Sequence, residues 1–288
     1  MEHELETAPG AHTDAIVAHF NEPVEHESFE DLDDLRRFVG TLTEAWDRSE
    51  SGGIKIRRGY ALAAGPVIWS LTHHSVALAR TVMVLSEQDR LVIAMPLIRL
   101  QIENMVTAIW LYLTPEGARA LVHEALRNRV AAVREVVQRG AVGFTTETLE
   151  EWQGQLDKFT TDASEEGRRF ERRCRSLQGG PDLYTSWRIA SSLSHAGTGI
   201  SDFYLVETAS SKSNPLGIAL NPNATLGSQE AWLGTVGSAL LATLAAFERV
   251  SEGSGLTNVV ANGAQRLGVT LDFHLAAAGE SGESGYPV

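Results

Sequence analysis

Pro181-Asp-Leu-Tyr-Thr-Ser-Trp-Arg-Ile-Ala-Ser-Ser-Leu-Ser-His-Ala-Gly197 is the stretch on which the reading of the whole chain depends. Proline suits the first turn of a helix, Asp182 sits beside the positive N-terminal end, and Gly197 lies where a helix stops. The segment is therefore expected to be a helix that runs to just short of Gly197. At about 100° per residue, Tyr184, Arg188, Ser191 and His195 then share one line, with Ser192 at its edge. Leu183, Trp187, Ile189, Ala190 and Leu193 occupy the other faces. A helix apolar on most sides is a buried one, so its polar line must find partners inside the protein or border a cavity.

Working outward, Gly179-Gly180 separates this helix from a long, charged one that Thr145 or Thr146 caps and that is expected to reach about Leu177. Thr114-Pro115-Glu116-Gly117 is a start signal for the helix before that, which ends at Gly140. Further upstream, helices are expected from Pro66 or a turn earlier to Leu85, and from about Asp89 to Leu113 with Pro96 inside. Ser28 followed by Asp31 resembles a capping box, and Leu32, Leu35, Phe38, Val39, Leu42 and Trp46 recur behind it at helical spacing. This first helix ends near Glu50, before Ser51-Gly52-Gly53 and the basic run Lys55 to Arg58. Downstream, residues 203–208 and 216–220 are short β-prone runs, which points to a hairpin or an ordered lid around 203–222. Helical periodicity returns over Gln229–Val250 and, more weakly, from Leu256 to Phe273. The sum is an all-α bundle of about seven or eight helices in one domain, residues 28–275.

Of the 288 residues, 43% are hydrophobic, enough for a sizeable core, and the net charge is −13. Eleven carboxylates precede the first basic residue, Arg36, so the acidity belongs to an N-terminal arm. Residues 1–27 read as a flexible arm and 276–288 as a loose, Gly/Ser/Glu-rich tail. Such an acidic arm argues against a general nucleic-acid coat while leaving room for a local basic groove. The lone Cys174 has no internal disulfide partner, and the N-terminus lacks the basic-then-apolar pattern of a secretion signal, so the expected location is the cytoplasm. Leu91–Leu113 is long enough to span a bilayer, but Arg99 and Glu103 near its middle favour a buried helix of a bundle, with no membrane partner.

Arg188 and His195 have six residues between them. This spacing resembles the R-x4–6-H motif of the HEPN superfamily, helical bundles that include many bacterial ribonucleases of toxin or antiviral type. The resemblance implies that Arg188 and His195 of two facing protomers converge on an RNA phosphate. A guanidinium forks onto phosphate oxygens and an imidazole moves a proton near neutral pH, so the chemistry is sound. Ile189 stands where that family commonly places a polar residue. A wider resemblance covers about residues 66–200: Ile98-Arg-Leu-Gln-Ile-Glu103 in an apolar helix, followed by Tyr184-x3-Arg-x2-Ser-Ser-x2-His195, is similar to a family of uncharacterised bacterial helical proteins. It supports the fold and the choice of Arg99, Glu103, Tyr184, Ser191 and Ser192 as supporting or binding residues.

The remaining polar features have simpler readings. Arg99 and Glu103 lie four apart and suit an intrahelical ion pair that stitches neighbouring helices or serves a catalytic site. Both charges need polar partners, so they are expected to meet the Tyr184/Arg188/His195 line. His73 and His74 are adjacent, so they cannot chelate from one helix face, and no Glu-x-x-His pair marks a di-iron bundle. No metal and no cofactor is expected. Ser192 and His195 lack the strand–turn–helix context of a serine-hydrolase nucleophile. Arg168, Arg169, Arg172, Arg173 and Arg175, near a helix C-terminus and among glutamates, read as a solvated face, or else as an RNA-backbone contact.

Two functions follow as expectations. One is a metal-independent, HEPN-like ribonuclease or nucleotide-binding protein acting on RNA or nucleotide as a homodimer. The other is a non-enzymatic helical protein that binds a protein partner or small ligand, with the polar cluster serving as core structure. A cavity beside His195 lined by Arg99 and Tyr184 would speak for the first, and a packed, paired cluster for the second.

Overall fold

The Asp31 carboxylate accepts the backbone N–H of Asp34 at 2.8 Å and so starts helix α1, Leu32–Glu50. The computed structural model describes residues 29–50, 55–60, 63–140, 143–158, 167 and 169–277. The expected arm, 1–27, and residues 278–288 of the expected tail lie outside the described residues. After α1 come α2 (Ala64–Glu87), α3 (Leu91–Leu113), α4 (Gly117–Gln138) and α5 (Thr146–Lys158). They are followed by α6 (Phe170–Arg175), α7 (Gly180–Ser192), the single turn α8 (Thr198–Ser201), α9 (Gln229–Val250) and α10 (Thr257–Leu267). The described residues thus form an all-α bundle of ten helices, eight of them longer than one or two turns.

Helix α9 is the axis of the core. Leu233, Val236, Leu240, Leu241, Leu244 and Phe247 are all buried, as the helical spacing of the sequence requires. It packs on α1, α2 and α3, and α3 packs in turn on α2. Trp46 of α1 meets Phe247 edge-on at 5.0 Å. Buried Gln101 of α3 donates its side-chain amide to the Val236 carbonyl at 3.2 Å, fixing α3 against α9. Leu91–Leu113 and Gln229–Val250 are both long and apolar enough to cross a membrane, and both are largely buried inside the bundle. Helix α4 is different: only Ala118, Ala120, Val130 and Val133 are buried, and it lies mainly against α5.

Two short antiparallel ladders interrupt the helices. β1 (Lys55–Ile56) pairs with β4 (Ser251–Glu252), closing the basic run against the end of α9. β2 (Leu205–Glu207) pairs with β3 (Ile218–Leu220), so the segment expected as a hairpin or lid is a hairpin.

Three expectations need correction. The long helix expected from Thr145 to about Leu177 is broken: α5 ends at Lys158, and Arg169 is extended at φ −118°, ψ 127° before α6. Gly167 packs against Ala120 so closely that an added Cβ would lie 2.5 Å from the alanine methyl. The final helix stops at Leu267, because Gly268 takes the left-handed conformation at φ 64°. Beyond it the chain is extended, and Gln178 and Ala276 donate backbone N–H groups to the carbonyls of His274 and Ser176. Finally, α7 ends at Ser192, three residues before His195. The Ser192 and Ser194 hydroxyls donate to the carbonyls of Ile189 and Ala190 at 2.8 and 2.6 Å, competing for groups the helix would use.

Candidate functional site: a polar and aromatic seam between α3, α6 and α7

Helix α7 is set in place by its own start. Gly179 is left-handed at φ 70°, and Gly180 lies so close to α6 that a Cβ would run into the Cys174 carbonyl oxygen. This tight corner lays α7 against α3 and α6 together. Two turns into α7, Trp187 reaches α3 and its indole N–H donates to Glu103 Oε1 at 2.7 Å. The same oxygen receives the Arg99 guanidinium at 2.8 Å. Arg99 lies over the Trp187 ring, 5.0 Å from its centroid, and Tyr184 stacks on Trp187 at 5.5 Å with planes 16° apart. From α6, Phe170 leans on Trp187 at 5.0 Å, and Arg173 sits over Phe170 at 5.7 Å while donating to the Gly167 carbonyl at 3.2 Å.

The electrostatics follow from burial. Arg173 is pulled below its ordinary guanidinium value by loss of water, with Cys174 and Glu103 opposing the shift. Arginine's intrinsic value is high enough that it stays cationic. Burial pushes the Cys174 thiol up to about 12, only partly offset by Arg173, so near neutral pH it is a packed thiol and no nucleophile. One carboxylate thus faces two guanidinium groups in a half-buried setting, and its Oε1 already serves two donors.

No family model, curated protein or solved structure matches this chain. The geometry of the seam and of the hairpin therefore supplies the grounds for a functional reading.

Of the residues singled out in the sequence, Arg99, Glu103 and Tyr184 come together, and Trp187 joins them. Arg188, Ser192 and His195 are exposed, and Ser191 is half-buried. The ion pair meets Trp187, which lies off that line, and Tyr184 joins only by stacking on Trp187, whereas His195 leaves the helix. Trp187, Phe170 and Arg173 are the members that sequence reasoning missed. Trp187 carried a usable signal, because a buried indole N–H needs an acceptor and a nearby helix offered an otherwise awkward Glu103. The arginine run divides: Arg175 pairs with Glu171 at 2.7 Å, Arg173 turns inward, and Arg168 lies outside the described residues.

The histidines of α2 are engaged elsewhere. His73 Nδ1 accepts the Trp46 indole N–H at 3.4 Å and stacks on Trp69 at 5.5 Å, while His74 Nδ1 meets the Asn104 amide at 3.1 Å. Among the described residues, no group of three or more His, Cys, Asp or Glu side chains is placed to hold a metal ion.

Proposed function

We propose that this chain is a non-enzymatic helical protein that docks a protein partner through the β2–β3 hairpin, with the Arg99/Glu103/Trp187 seam as structure. The observation that carries this reading is the hairpin itself. Leu216 and Leu220 are about four-fifths exposed at 80% and 81%, and Tyr204, Leu205, Val206 and Ile218 are exposed as well. Every side chain of the two strands is exposed except that of Ala219, which is half-buried. An isolated two-stranded hairpin is at best marginal in water, and clustered exposed apolar side chains mark interaction sites. The seam supports the same reading from the other side, because Arg99 and Glu103 pair with each other and both engage Trp187.

The test places a photo-crosslinking residue at Tyr204 and compares wild type with Leu205→Asp/Leu220→Asp. Crosslinks to a protein that vanish in the double variant, with helical content unchanged, support docking. A crosslink pattern indifferent to the substitutions would refute it.

The HEPN-like ribonuclease is the second reading, favoured by the exposure of both Arg188 and His195. On that reading Arg188→Ala and His195→Ala each abolish RNA cleavage, by roughly 10²–10⁴-fold, without moving the melting temperature. Cleavage persists in EDTA. Wild-type protein that leaves every RNA intact excludes it.

A further inference from the structure

We infer that the hairpin's partner adds a β-strand to the open edge of β2, through an extended segment that alternates apolar residues and sets a Lys or Arg opposite Glu207. This rests on the docking reading above and names the mode of docking and the chemistry of the partner. Two backbone bonds fix which groups are open. Thr208 donates its N–H to the Gly217 carbonyl at 2.7 Å, and Asn221 donates to the Tyr204 carbonyl at 2.9 Å. Bonded pairs alternate with unbonded ones in an antiparallel ladder, so Val206 and Ala219, midway between, exchange bonds. Leu205 and Glu207 therefore point their N–H groups away from β3, and these groups have no hydrogen-bond partner among the described residues. The outer edge of β3 is less open, because Asn214 Oδ1 accepts the Ile218 N–H at 3.3 Å.

Such an edge is a template for another strand, and proteins commonly blunt it with Lys, Pro or a bulge. β2 has none of these: its residues are Leu205, Val206 and Glu207, and each pairs with one residue of β3 in unbroken register. A third strand would also give this two-stranded ribbon the width that a stable sheet needs. Leu205 and Glu207 share a face with Ile218 and Leu220, so the partner residues opposite them are apolar and basic in turn. Glu207 is exposed and has no ion-pair partner among the described residues. Lys212 is a central residue of the tip turn, which Ser211 and Asn214 close by exchanging backbone bonds. It lies five residues from Glu207, roughly 16 Å along an extended chain and beyond the ~8 Å screening length of physiological salt. The carboxylate at the open edge is thus unanswered. A second copy laid along the same edge would add another Glu207 to the sheet, whereas a Lys or Arg there gains an opposite-charge pair.

Two capped seven-residue peptides serve as probes, threonine alternating with valine, with the central valine replaced by lysine in one and by glutamate in the other. Fluorescence anisotropy of each labelled peptide is followed against the full chain up to about 1 mM. The lysine peptide is expected to bind about fivefold tighter than the glutamate peptide, the effect of one cross-strand charge pair turned repulsive. Glu207→Lys reverses that order. Glu207→Pro removes the outward N–H while sparing the ladder bonds of Val206 and Thr208, so it abolishes binding of both peptides. Amide exchange followed by NMR reads the geometry directly. Saturating lysine peptide slows exchange at Leu205 and Glu207 at least about tenfold and leaves Thr208, already bonded, unchanged. No binding of either peptide, an order that Glu207→Lys leaves unchanged, or undiminished binding by Glu207→Pro with Thr208 still protected overturns the proposal. So does a wild type whose self-association in sedimentation velocity is removed by Glu207→Pro, since a second copy then fills the edge. The Tyr204 crosslinks separate the two levels. If the peptides fail while crosslinks to a protein still vanish in Leu205→Asp/Leu220→Asp, docking stands and runs through side chains alone. If those crosslinks are also absent, or indifferent to the substitutions, both readings end.

Discussion

Between α3 and α7, two guanidinium groups and a carboxylate lie half-buried among three aromatic rings, whereas on the hairpin leucine and isoleucine side chains stand in water. Each region reverses the usual placement of its residue types. In the seam the reversal is resolved locally. Glu103 accepts from Arg99 and Trp187, and the cations lie over ring faces, which leaves the buried Arg99 Nε as the seam atom with no hydrogen-bond partner among the described residues. On the hairpin no such resolution exists among the described residues. Folding of the monomer explains the charges inside and leaves the apolar groups outside unexplained, and the second kind of anomaly is the better pointer to a partner.

If that contrast holds, substitutions in the seam should destabilise and those on the hairpin should not. The largest effect belongs to Trp187→Ala, which removes the ring under Arg99, the contact with Phe170 and Tyr184, and the donor to Glu103. A loss of about 4 kcal/mol is expected in denaturant titration. Glu103→Ala comes next, at about 3 kcal/mol, because it strands Arg99 and deprives Arg173 of its nearby carboxylate. In a chain of this size that lowers Tm by roughly 6–12 °C. A change under 1 kcal/mol for both would break the comparison, since the seam would then be as dispensable for folding as a binding surface.

The sequence was most informative where burial is uniform along a helix. Gln229–Val250 could be bounded at both ends because Trp232, Val236, Leu240, Leu244 and Phe247 keep helical spacing without interruption. The hairpin was also visible, through β-prone runs on either side of a Ser/Lys/Asn/Pro connection. What failed was local competition between backbone partners. The Ser192 and Ser194 hydroxyls take the carbonyls of Ile189 and Ala190, and nothing in helical periodicity records this competition where α7 ends before His195. The break before α6 lies at Arg169, which is extended at φ −118°, ψ 127°, and helical periodicity does not record it; nor does it record that nearby Gly167 packs on Ala120, 47 positions earlier. For the site, residue types pointed to Arg99, Glu103 and Tyr184, while the residue that joins them, Trp187, was placed among the apolar faces. A pattern that counts Trp as purely apolar overlooks its one donor.

A smaller effect, confined to alkaline pH, sharpens the picture of the seam's floor. Cys174 is buried with its thiol pushed up to about 12, against an unfolded value near 8.5. Below that unfolded value both states hold the proton, and the group adds no pH dependence. Above it the unfolded chain releases the proton and the native one does not, so stability falls as pH rises, until the native thiol ionises near 12. Wild type should therefore lose about 2 kcal/mol more than Cys174→Ala between pH 8 and pH 10. Equal losses in the two proteins would mean that the thiol is hydrated in solution. The same burial predicts no reaction of native protein with Ellman's reagent at pH 8 and full reaction after unfolding.

The smallest expected effect is also the most direct test of the hairpin's side of the comparison. Leu216 and Leu220 are 80% and 81% exposed, so almost none of their surface leaves water when the monomer folds. Burial free energy scales with area removed from water, at about 25 cal/mol per Å², and here that area is small. Leu216→Ser/Leu220→Ser should then shift the monomer's stability by no more than about 0.5 kcal/mol. The measurement belongs at about 1 µM purified protein, where any partner is absent. The two leucines should thus be silent in dilute melts. A destabilisation of 2 kcal/mol or more in dilute solution would show that the monomer itself covers these side chains, and the contrast between seam and hairpin would collapse.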